Sequence, residues 1–283
     1  MTGHLLIFWD YDTAWGADAD RARGLPGPAV PAGAEFECTD RLLALHARHG
    51  VPACFAVVGA AALPGERPYH DPDQIRRIHE AGHEVASHGF KHEWLPALDR
   101  ATLDETLRRS RAAIETCIGA PVTSFVPPYN QPFDHFPALS ISRSERRLVR
   151  RSRTDVRVLC RALARNGFTF CRVAYRPLGL RIADRLMRRR VDGPVTVKRI
   201  GGVTCCRLNS AGGFAADAVA LVERTAREGG IAVVYGHPHS LAAGNSQDER
   251  WLVPFLSRVE ALQSAHGLHP ILPRDLVRQG NPP

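Results

Sequence analysis

The chain contains 283 residues and carries a formal net charge of +8, with 44% apolar and 23% charged residues. This is ordinary globular composition, which can fill a substantial core and excludes a low-complexity chain. No run approaches the roughly 18 apolar residues of a membrane span, and the N-terminus lacks the regions of a signal peptide. We therefore expect one large domain over residues 1–283, with no membrane span and a cytoplasmic location.

Seven cysteines are an odd number, and none of them forms a CxxC pair. Cys54, Cys160 and Cys171 lie within apolar patterns. Cys205 and Cys206 are adjacent, which is poor geometry for an ordinary disulfide. The pattern predicts reduced, mostly buried thiols, as is usual in the cytosol.

The first predicted element is a strand over residues 5–9, a continuous apolar run that is typical of a strand buried on both faces. It ends in Asp10-Tyr11-Asp12, with carboxylates at positions i and i+2. Because an unpaired charge at the end of a buried strand is costly, a functional role is favoured over a helix cap or a turn. Residues 13–34 are rich in Gly, Ala and Pro and predict a long loop over the end of this strand.

Strands and helices are then predicted to alternate along the chain. Apolar runs predict further strands at residues 51–58, 83–86, 122–126, 168–173, 195–200, 203–208, 231–235 and 269–272. Capping residues and glycines delimit helices at about residues 39–49, 72–81, 102–118, 154–166, 214–228, 247–264 and 274–279. This alternation predicts an α/β fold with parallel strands and right-handed crossovers, with the candidate functional residues following strand ends.

Two histidines follow the third strand in the stretch GHEVASHGFKHEWL, residues 82–95. His88 and His92 stand four residues apart, so in a helical turn both imidazoles can reach one point. Zinc accepts imidazole nitrogen at about 2.0–2.1 Å and needs three or four ligands. The pair is therefore half of a candidate metal site, and an aspartate after the first strand can supply a further ligand. The alternative is a loop with two solvated histidines.

These motifs together resemble the polysaccharide deacetylases of the NodB-homology type (carbohydrate esterase family 4). The resemblance rests on the ordered set of Asp10-Tyr11-Asp12, GHE followed by HxxxH, Pro127-Pro128-Tyr129 and a late His237-Pro238. Residues 38–59 are also similar to that family's first helix and second strand. The similarity covers about residues 4–130 and 229–275. It implies a distorted (β/α)7–8 barrel of the glycoside hydrolase/deacetylase type.

The resemblance also implies site roles. Asp12, His88 and His92 would hold one divalent metal, expected to be zinc, and Asp10 would be the general base. The backbone N–H of Tyr129 would help to hold the oxyanion. His237 is expected to be the acid that protonates the leaving amine, with His239 as the competing choice.

The chain departs from the family pattern at two places in these motifs. Val126 stands where the family usually has an arginine that orients the catalytic aspartate. Either another arginine takes that place, or the base is tuned differently and the substrate is atypical. Gly89 replaces the usual Ser or Thr after the first histidine. The family's aspartate that pairs with the histidine acid has no secure counterpart, and Asp155 is a guess.

An arginine-rich segment, at about residues 140–190, falls outside the resemblance. Residues 143–190 hold sixteen arginines and three acidic residues, a local charge of +13, which leaves about −5 for the rest of the chain. Because aromatic residues are sparse there, a solvated helical face or an anionic-substrate surface is favoured over nucleic-acid binding. Guanidinium groups suit phosphate, so the substrate's sugar is predicted to be attached to an anionic carrier such as a nucleotide or polyprenyl phosphate.

The function predicted from these features is a metal-dependent hydrolase that removes an N-acyl group, expected to be acetyl, from an amino sugar. The sugar would be nucleotide-, lipid- or small-molecule-linked. One alternative keeps the site but acts on a linear or cyclic amide that is not a sugar. Another is an inactive relative that binds an anionic partner. The sequence predicts no oligomeric state.

Overall fold

The computed structural model describes residues 3–25, 33–132, 154–173, 197–210 and 212–280. At the centre lies β1 (Gly3–Tyr11). The other strands are, in chain order, β2 (Cys54–Val57), β3 (Glu84–Ser87), β4 (Ser124–Phe125), β5 (Phe170–Val173), β6 (Lys198–Ile200), β7 (Val203–Arg207), β8 (Gly230–Gly236) and β9 (Leu268–Pro270). The helices are α1 (Thr13–Arg21), α2 (Ala34–His49), α3 (Pro72–Glu80), α4 (Arg100–Ile118), α5 (Val156–Arg165), α6 (Ala216–Glu228), α7 (Glu249–His266) and α8 (Pro273–Arg278).

The described strands form one sheet in the order β6–β7–β5–β4–β3–β2–β1–β8, and β9 pairs with the beginning of β1. The ladders are parallel except the one between β6 and β7. Within the described ranges no ladder joins the edge strands β6 and β8, so the curled sheet is an incomplete barrel. The predicted α/β fold with parallel strands in a distorted barrel is confirmed.

Local capping chemistry explains several helix ends. Asp71 precedes α3 and its side chain accepts a hydrogen bond from the Gln74 N–H, as predicted for a cap followed by proline. Gly50 and Gly119 end α2 and α4 in the left-handed conformation that favours glycine. At the start of α4 the cap is Asp99, which accepts from the Thr102 N–H, so this helix begins earlier than predicted.

The segment after β1 differs from the prediction. Residues 13–21 form α1 and not a loop, because alanine-rich sequence has high helix propensity and Trp15 packs its ring against Tyr69 and His70. Helix α2 also begins earlier than predicted, at Ala34. Gln247, predicted to open a helix, lies instead in the turn before α7.

β1 is buried on both faces, as predicted. Leu5, Ile7 and Trp9 pack in the layer between the sheet and the helices. Leu6 and Phe8 face the barrel interior, where they meet apolar residues of the neighbouring strands. Since side chains alternate along a strand, every even-numbered residue of β1 points inward. Asp10 and Asp12 continue this inward series past the apolar interior.

All seven cysteines are free thiols, and all but Cys117 are buried. Their burial is as predicted, while the reduced state and the cytoplasmic location stay predictions. None of the described helices combines the length and apolar character needed to cross a membrane. Of the arginine-rich segment, residues 140–153 and 174–190 lie outside the described residues, so the anionic-substrate surface predicted there stays a prediction.

Candidate metal centre and active site

The alternation of inward and outward side chains along the strands places the site residues at one end of the barrel. On β3 and β5 the inward residues are Ala86 and Phe170, so the next inward positions are His88 and Arg172. On β8 the same series leads to His237. Because these strands are parallel, their carboxyl ends lie at one rim of the barrel, where the β1 aspartates also emerge.

Three predicted ligands meet at this rim. One ligand atom each from Asp12, His88 and His92 lies within 4.8 Å of the others. Asp12 Oδ1 is 3.4 Å from His88 Nε2 and 3.6 Å from His92 Nε2. Two ligands at about 2.0–2.1 Å from a tetrahedral zinc are separated by about 3.3 Å, close to both distances. The arrangement therefore fits a divalent ion.

The histidines offer lone pairs to such an ion. His88 Nδ1 lies 2.7 Å from the Val126 carbonyl. A carbonyl only accepts, so Nδ1 carries the proton and Nε2 presents its lone pair to Asp12. Burial lowers the pKa of His88 to about 4 and that of His92 well below its ordinary value. Both imidazoles are neutral at pH 7, as metal ligation requires.

Among the described residues, no lysine or arginine lies within ion-pair distance of Asp12. Burial, followed by the negative charges of Glu35, Asp10 and Asp20, raises the pKa of Asp12 well above its usual range. Its Oδ1 is buried and has no hydrogen-bond partner among the described residues. A carboxylate in this position is destabilised unless a positive charge reaches it, which is a second observation that fits a metal ion.

Glu35 anchors the backbone on either side of this ligand, and sequence reasoning missed it. The Glu35 carboxyl group accepts hydrogen bonds from the N–H groups of Asp12 at 2.9 Å and Thr13 at 2.6 Å. Burial raises the pKa of Glu35 to about 7 against the lowering effect of these bonds. Nothing in the local pattern of α2 indicates this contact, which depends on the packing of α2 against the end of β1.

Backbone strain concentrates at the same rim. Within the described ranges, the non-glycine residues with positive φ are Thr13, His92, Tyr129 and Asn130. Side-chain-bearing residues adopt this region at an energetic cost, and surrounding contacts must hold them there. All four adjoin or belong to the candidate site, so the fold maintains these strained geometries where chemistry is expected.

The loop between the two histidines is built around Gly89. Its φ is 78°, and a Cβ there would lie 2.9 Å from Glu93 Oε2 and 3.3 Å from Pro128 Cγ. Glu93 accepts hydrogen bonds from the N–H groups of Phe90 and Lys91, both at 2.9 Å. The carboxylate of Glu93 thus ties down the loop with two backbone hydrogen bonds.

Asp10 is paired with an arginine from a different strand. Arg172 Nη1 and Nη2 donate to Asp10 Oδ1 and Oδ2 at 2.9 and 2.6 Å, and Nη2 also donates to Asn130 Oδ1 at 3.0 Å. Arg172 is fully buried. The β4–β5 register pairs Phe125 with Cys171, so Val126 is level with Arg172 on the neighbouring strand. Arg172 therefore supplies the guanidinium that is missing at position 126, where the chain has valine.

This pair sets the charge of Asp10. Burial alone would raise the pKa of Asp10, but the charges of Arg172, His88 and His237 and the Arg172 hydrogen bonds outweigh it and lower the pKa to about 2. Including Arg172 in an arginine-rich anionic-substrate surface was therefore wrong, because its guanidinium is internal. The missed signal was an arginine at an inward position of the apolar run Phe168–Val173.

His237 faces the ligand cluster across the barrel mouth. Its Nε2 is 4.0 Å from Asp12 Oδ2, and its Nδ1 lies 3.1 Å from Gln247 Oε1. His239 is next to it, and burial followed by the charge of His237 lowers the pKa of His239 to about 3. Asp155 caps α5 through the Val158 N–H, so the guess that it pairs with His237 was wrong.

The mouth of the site carries Tyr129 and its neighbours. The Tyr129 ring meets His92 edge-on at 4.5 Å between centroids and lies 5.3 Å from Trp94. The Tyr129 hydroxyl donates to Asp20 Oδ1 at 3.0 Å. The Arg23 guanidinium lies over the Tyr129 ring at 5.0 Å. Aromatic faces and one exposed cation thus border the candidate metal centre.

Comparison with known proteins places these residues in a wider context. The sequence model described as polysaccharide deacetylase matches residues 30–139. Over 77 residues the chain is 36% identical to a chitooligosaccharide deacetylase of Rhizobium leguminosarum bv. trifolii, covering 27% of this chain and 33% of that protein. Over 92 residues it is 37% identical to a chitooligosaccharide deacetylase of Sinorhizobium fredii (strain NBRC 101917 / NGR234), covering 32% of this chain and 40% of that protein. The matches thus span between a third and two fifths of those relatives.

Structural similarity extends over nearly the whole chain. A Mycobacterium smegmatis protein assigned to the polysaccharide deacetylases superposes with a TM-score of 0.63 and 19% identity, covering 98% of this chain and 90% of the other. At this identity the likeness shows the fold alone. The sequence matches and the shared fold together confirm the resemblance inferred from the motifs.

Proposed function

We propose that this polysaccharide deacetylase family member is a metal-dependent hydrolase that removes an N-acyl group, expected to be acetyl, from an amino sugar. The observation that carries the proposal is the convergence of Asp12, His88 and His92 within 4.8 Å, beside an ionised Asp10 and an inward-facing His237. An open site with three protein ligands is the arrangement of catalytic metal centres, whereas structural zinc is usually enclosed by four.

Each residue has a distinct task in this proposal. Asp12, His88 and His92 would hold the ion, expected to be zinc, which when bound would polarise the amide carbonyl and make an attacking water more acidic. Asp10 takes a proton from that water as its oxygen bonds to the acyl carbon. The carbon–nitrogen bond then breaks while His237 gives a proton to the leaving amine. The Tyr129 N–H would donate to the oxyanion, a contribution of roughly 3–4 kcal/mol in other acyl transfers.

Arg172 determines how Asp10 works. With a pKa of about 2, Asp10 stays ionised throughout the neutral range and is a weak base. Its suitability then rests on position, because the bidentate guanidinium holds both carboxylate oxygens in one orientation. A strong base would be unnecessary if the attacking water were already acidified by a bound ion.

Two features disfavour the alternatives. A substrate that is not a sugar was suggested by the arginine missing at position 126, and Arg172 supplies that guanidinium from β5. An inactive anion-binding relative would not need buried, neutral imidazoles beside a carboxylate without a cation. Sugar deacetylation therefore stands as the leading proposal.

The experiment combines metal analysis with a substrate panel. Purified protein should contain one divalent ion per chain and should release acetate from N-acetyl sugars, including chitooligosaccharides, but not from cyclic ureides. A chelator should abolish the release, and zinc should restore it. Stoichiometric metal with ureide hydrolysis and no acetate release would support the non-sugar alternative, and a protein that retains no metal would contradict the proposal.

An anionic carrier on the sugar is the finer part of the proposal. Arg23 supports it, since its guanidinium lies over Tyr129 and Trp94 at the mouth of the site and guanidinium groups bind phosphate with paired hydrogen bonds. Neighbouring Arg21 is instead paired with Asp18.

Arg23→Gln should raise KM for a nucleotide-linked N-acetyl sugar about 2–10-fold, as expected from losing one exposed charged hydrogen bond, and leave a neutral N-acetyl sugar unchanged. Arg21→Gln is the matched control. A polyprenyl-phosphate-linked sugar, measured in parallel, separates a nucleotide from a lipid carrier. Equal effects on charged and neutral substrates would remove Arg23 from carrier recognition.

A further inference from the structure

His237 makes two hydrogen bonds to one atom of Gln247. Gln247 Oε1 lies 2.7 Å from the backbone N of His237 and 3.1 Å from its Nδ1. We propose that Gln247 is a positioning residue that selects the tautomer of His237 and aims its Nε2 into the active site. The catalytic consequence rests on the function proposed above, but the tautomer itself does not.

The hydrogen-bond roles leave one consistent assignment. A backbone N–H can only donate, so the Gln247 atom that faces it must be the carbonyl oxygen and not the amide nitrogen. The same oxygen then accepts from Nδ1 of His237, which must carry a proton. In the neutral imidazole Nε2 is therefore unprotonated, and any proton that His237 gains or gives passes through Nε2.

Nε2 points to where that proton is needed. It lies 4.0 Å from Asp12 Oδ2, whereas the His237 side chain as a whole is 28% exposed at the barrel mouth. The opposite tautomer would place the proton on Nε2 permanently and leave Nδ1 without one to donate to Gln247. Such an imidazole would take up its second proton at Nδ1, which faces Gln247 and not the active site.

The turn before α7 holds Gln247 in place. The Gln247 N–H donates to Asn245 Oδ1 at 2.8 Å, and the next residue, Asp248, caps α7 through the Arg250 N–H. On the other side, a Cβ at Gly236 would lie 3.3 Å from Gln247 Oε1 and 2.8 Å from Cζ3 of the buried Trp9. Glycine at position 236 thus leaves room for the amide, and the amide has little freedom to turn away.

The uncharged hydrogen-bond acceptor of Gln247 suits the acidic surroundings of the site. Asp10, Asp12, Glu35 and Asp20 already place carboxyl groups around the site, and three of them raise the pKa of Asp12. A further carboxylate at position 247 would orient His237 equally well but would add charge to this acidic surrounding. The glutamine carbonyl orients the His237 imidazole without adding a negative charge. Because it accepts from Nδ1 in both the neutral and the charged imidazole, it keeps the ring oriented throughout turnover.

The test uses two variants and one control. Gln247→Leu removes the acceptor with little change in volume, and Gln247→Glu keeps an acceptor oxygen. Gln263→Leu makes the same substitution on α7, away from the site. Each protein is labelled with ¹⁵N-histidine and examined by long-range ¹H–¹⁵N correlation at alkaline pH. The His237 resonances are assigned by their loss in His237→Ala.

In the wild type and in Gln263→Leu, His237 should carry its proton on Nδ1. Gln247→Leu should populate the Nε2-protonated form and lower kcat about 10–100-fold, as removal of a residue that orients a site histidine typically does, with KM little changed. Gln247→Glu should restore the Nδ1-protonated form and most of kcat. Thermal unfolding of each variant separates a loss of orientation from a loss of fold.

Two results would overturn the inference. One is an Nε2-protonated His237 in the wild type. The other is a Gln247→Leu protein that keeps both the wild-type tautomer and the wild-type kcat. If the wild type releases no acetate from any substrate, the proposed function fails, while the tautomer of His237 still decides whether Gln247 positions it.

Discussion

Asp10 and Asp12 stand two residues apart on the same face of one chain segment, yet their carboxylates lie in opposite surroundings. Asp10 has a buried arginine that donates to both of its oxygens, and its pKa is lowered to about 2. Asp12 is surrounded by neutral imidazoles and further carboxyl groups, and its pKa is raised well above the ordinary value.

Asp10 and Asp12 therefore have opposite electrostatic environments although they are close in the chain. Arg172 supplies the positive charge for Asp10 and thereby fixes the orientation of the proposed proton acceptor. For Asp12 no lysine or arginine among the described residues lies within ion-pair distance, which supports the proposed metal ion as its partner. Spacing along the chain cannot assign these roles, because both residues end the same strand; the neighbours that surround each carboxylate do.

The largest effect is expected from removing one of the proposed metal ligands. His88→Ala should abolish metal retention and reduce activity to background, because the site loses one of its three protein ligands. The fold should survive, since the ligands lie at the rim of the barrel. Elemental analysis measures the metal, and His79→Ala on α3 is the control. Full metal occupancy in His88→Ala would disprove the ligand assignment.

The second-largest effect is expected from removing the proposed general base or the proposed general acid. Asp10→Asn and His237→Ala should each lower kcat about 10²–10⁴-fold, the usual contribution of a general acid or base, and both should retain the metal. Steady-state kinetics with metal analysis checks this. Loss of metal in Asp10→Asn would mean that the aspartate roles are interchanged. A severe His239→Ala beside a mild His237→Ala would move the acid two residues along.

The charge pair itself predicts a change in stability. Arg172→Met leaves Asp10 buried without its cation and should lower the free energy of unfolding by about 3–5 kcal/mol. Arg165→Met is the control, because its ion pair with Asp104 is 39% and 32% exposed and such surface pairs contribute about 0–1 kcal/mol. Denaturant unfolding measures both. Equal losses for the two variants would show that Arg172 acts as an ordinary packing residue.

The smallest expected effect is on the pH dependence of stability. Asp10 has a pKa of about 2 in the folded protein against an ordinary 3.8, so the unfolded chain takes up the proton first as pH falls. Its contribution to stability is present above pH 3.8 and is lost as pH falls through 2. From the size of the shift it amounts to about 2 kcal/mol.

Acid unfolding of the metal-free wild type should therefore be steeper than that of the double variant Asp10→Asn/Arg172→Met, which lacks this titration. The pair is removed from both ends, so no charge is left buried. Parallel acid-unfolding curves would contradict the low pKa of Asp10.

Local sequence was sufficient wherever the physics is local. Strand burial follows from continuous apolar runs, and helix ends follow from residues such as Asp71 and Gly119, whose capping bonds reach only a few positions along the chain. Because these signals depend on residues close in sequence, one sequence carries them. The family resemblance predicted the ligand set Asp12, His88 and His92, whose ligand atoms the structure does bring together, although the two histidines lie in a loop and not in a helical turn.

Only the tertiary structure decided which side chains contact and orient the site residues. Arg172 meets Asp10 across 162 positions of chain, and Glu35 reaches the backbone of Asp12 from α2. Gln247 faces His237 only because the turn before α7 packs beside the end of β8. The alternation of β5 already places Arg172 inward, but its contact with Asp10 requires the strand order of the sheet. Strand order and helix packing are set by the burial of the whole core, which no local pattern encodes.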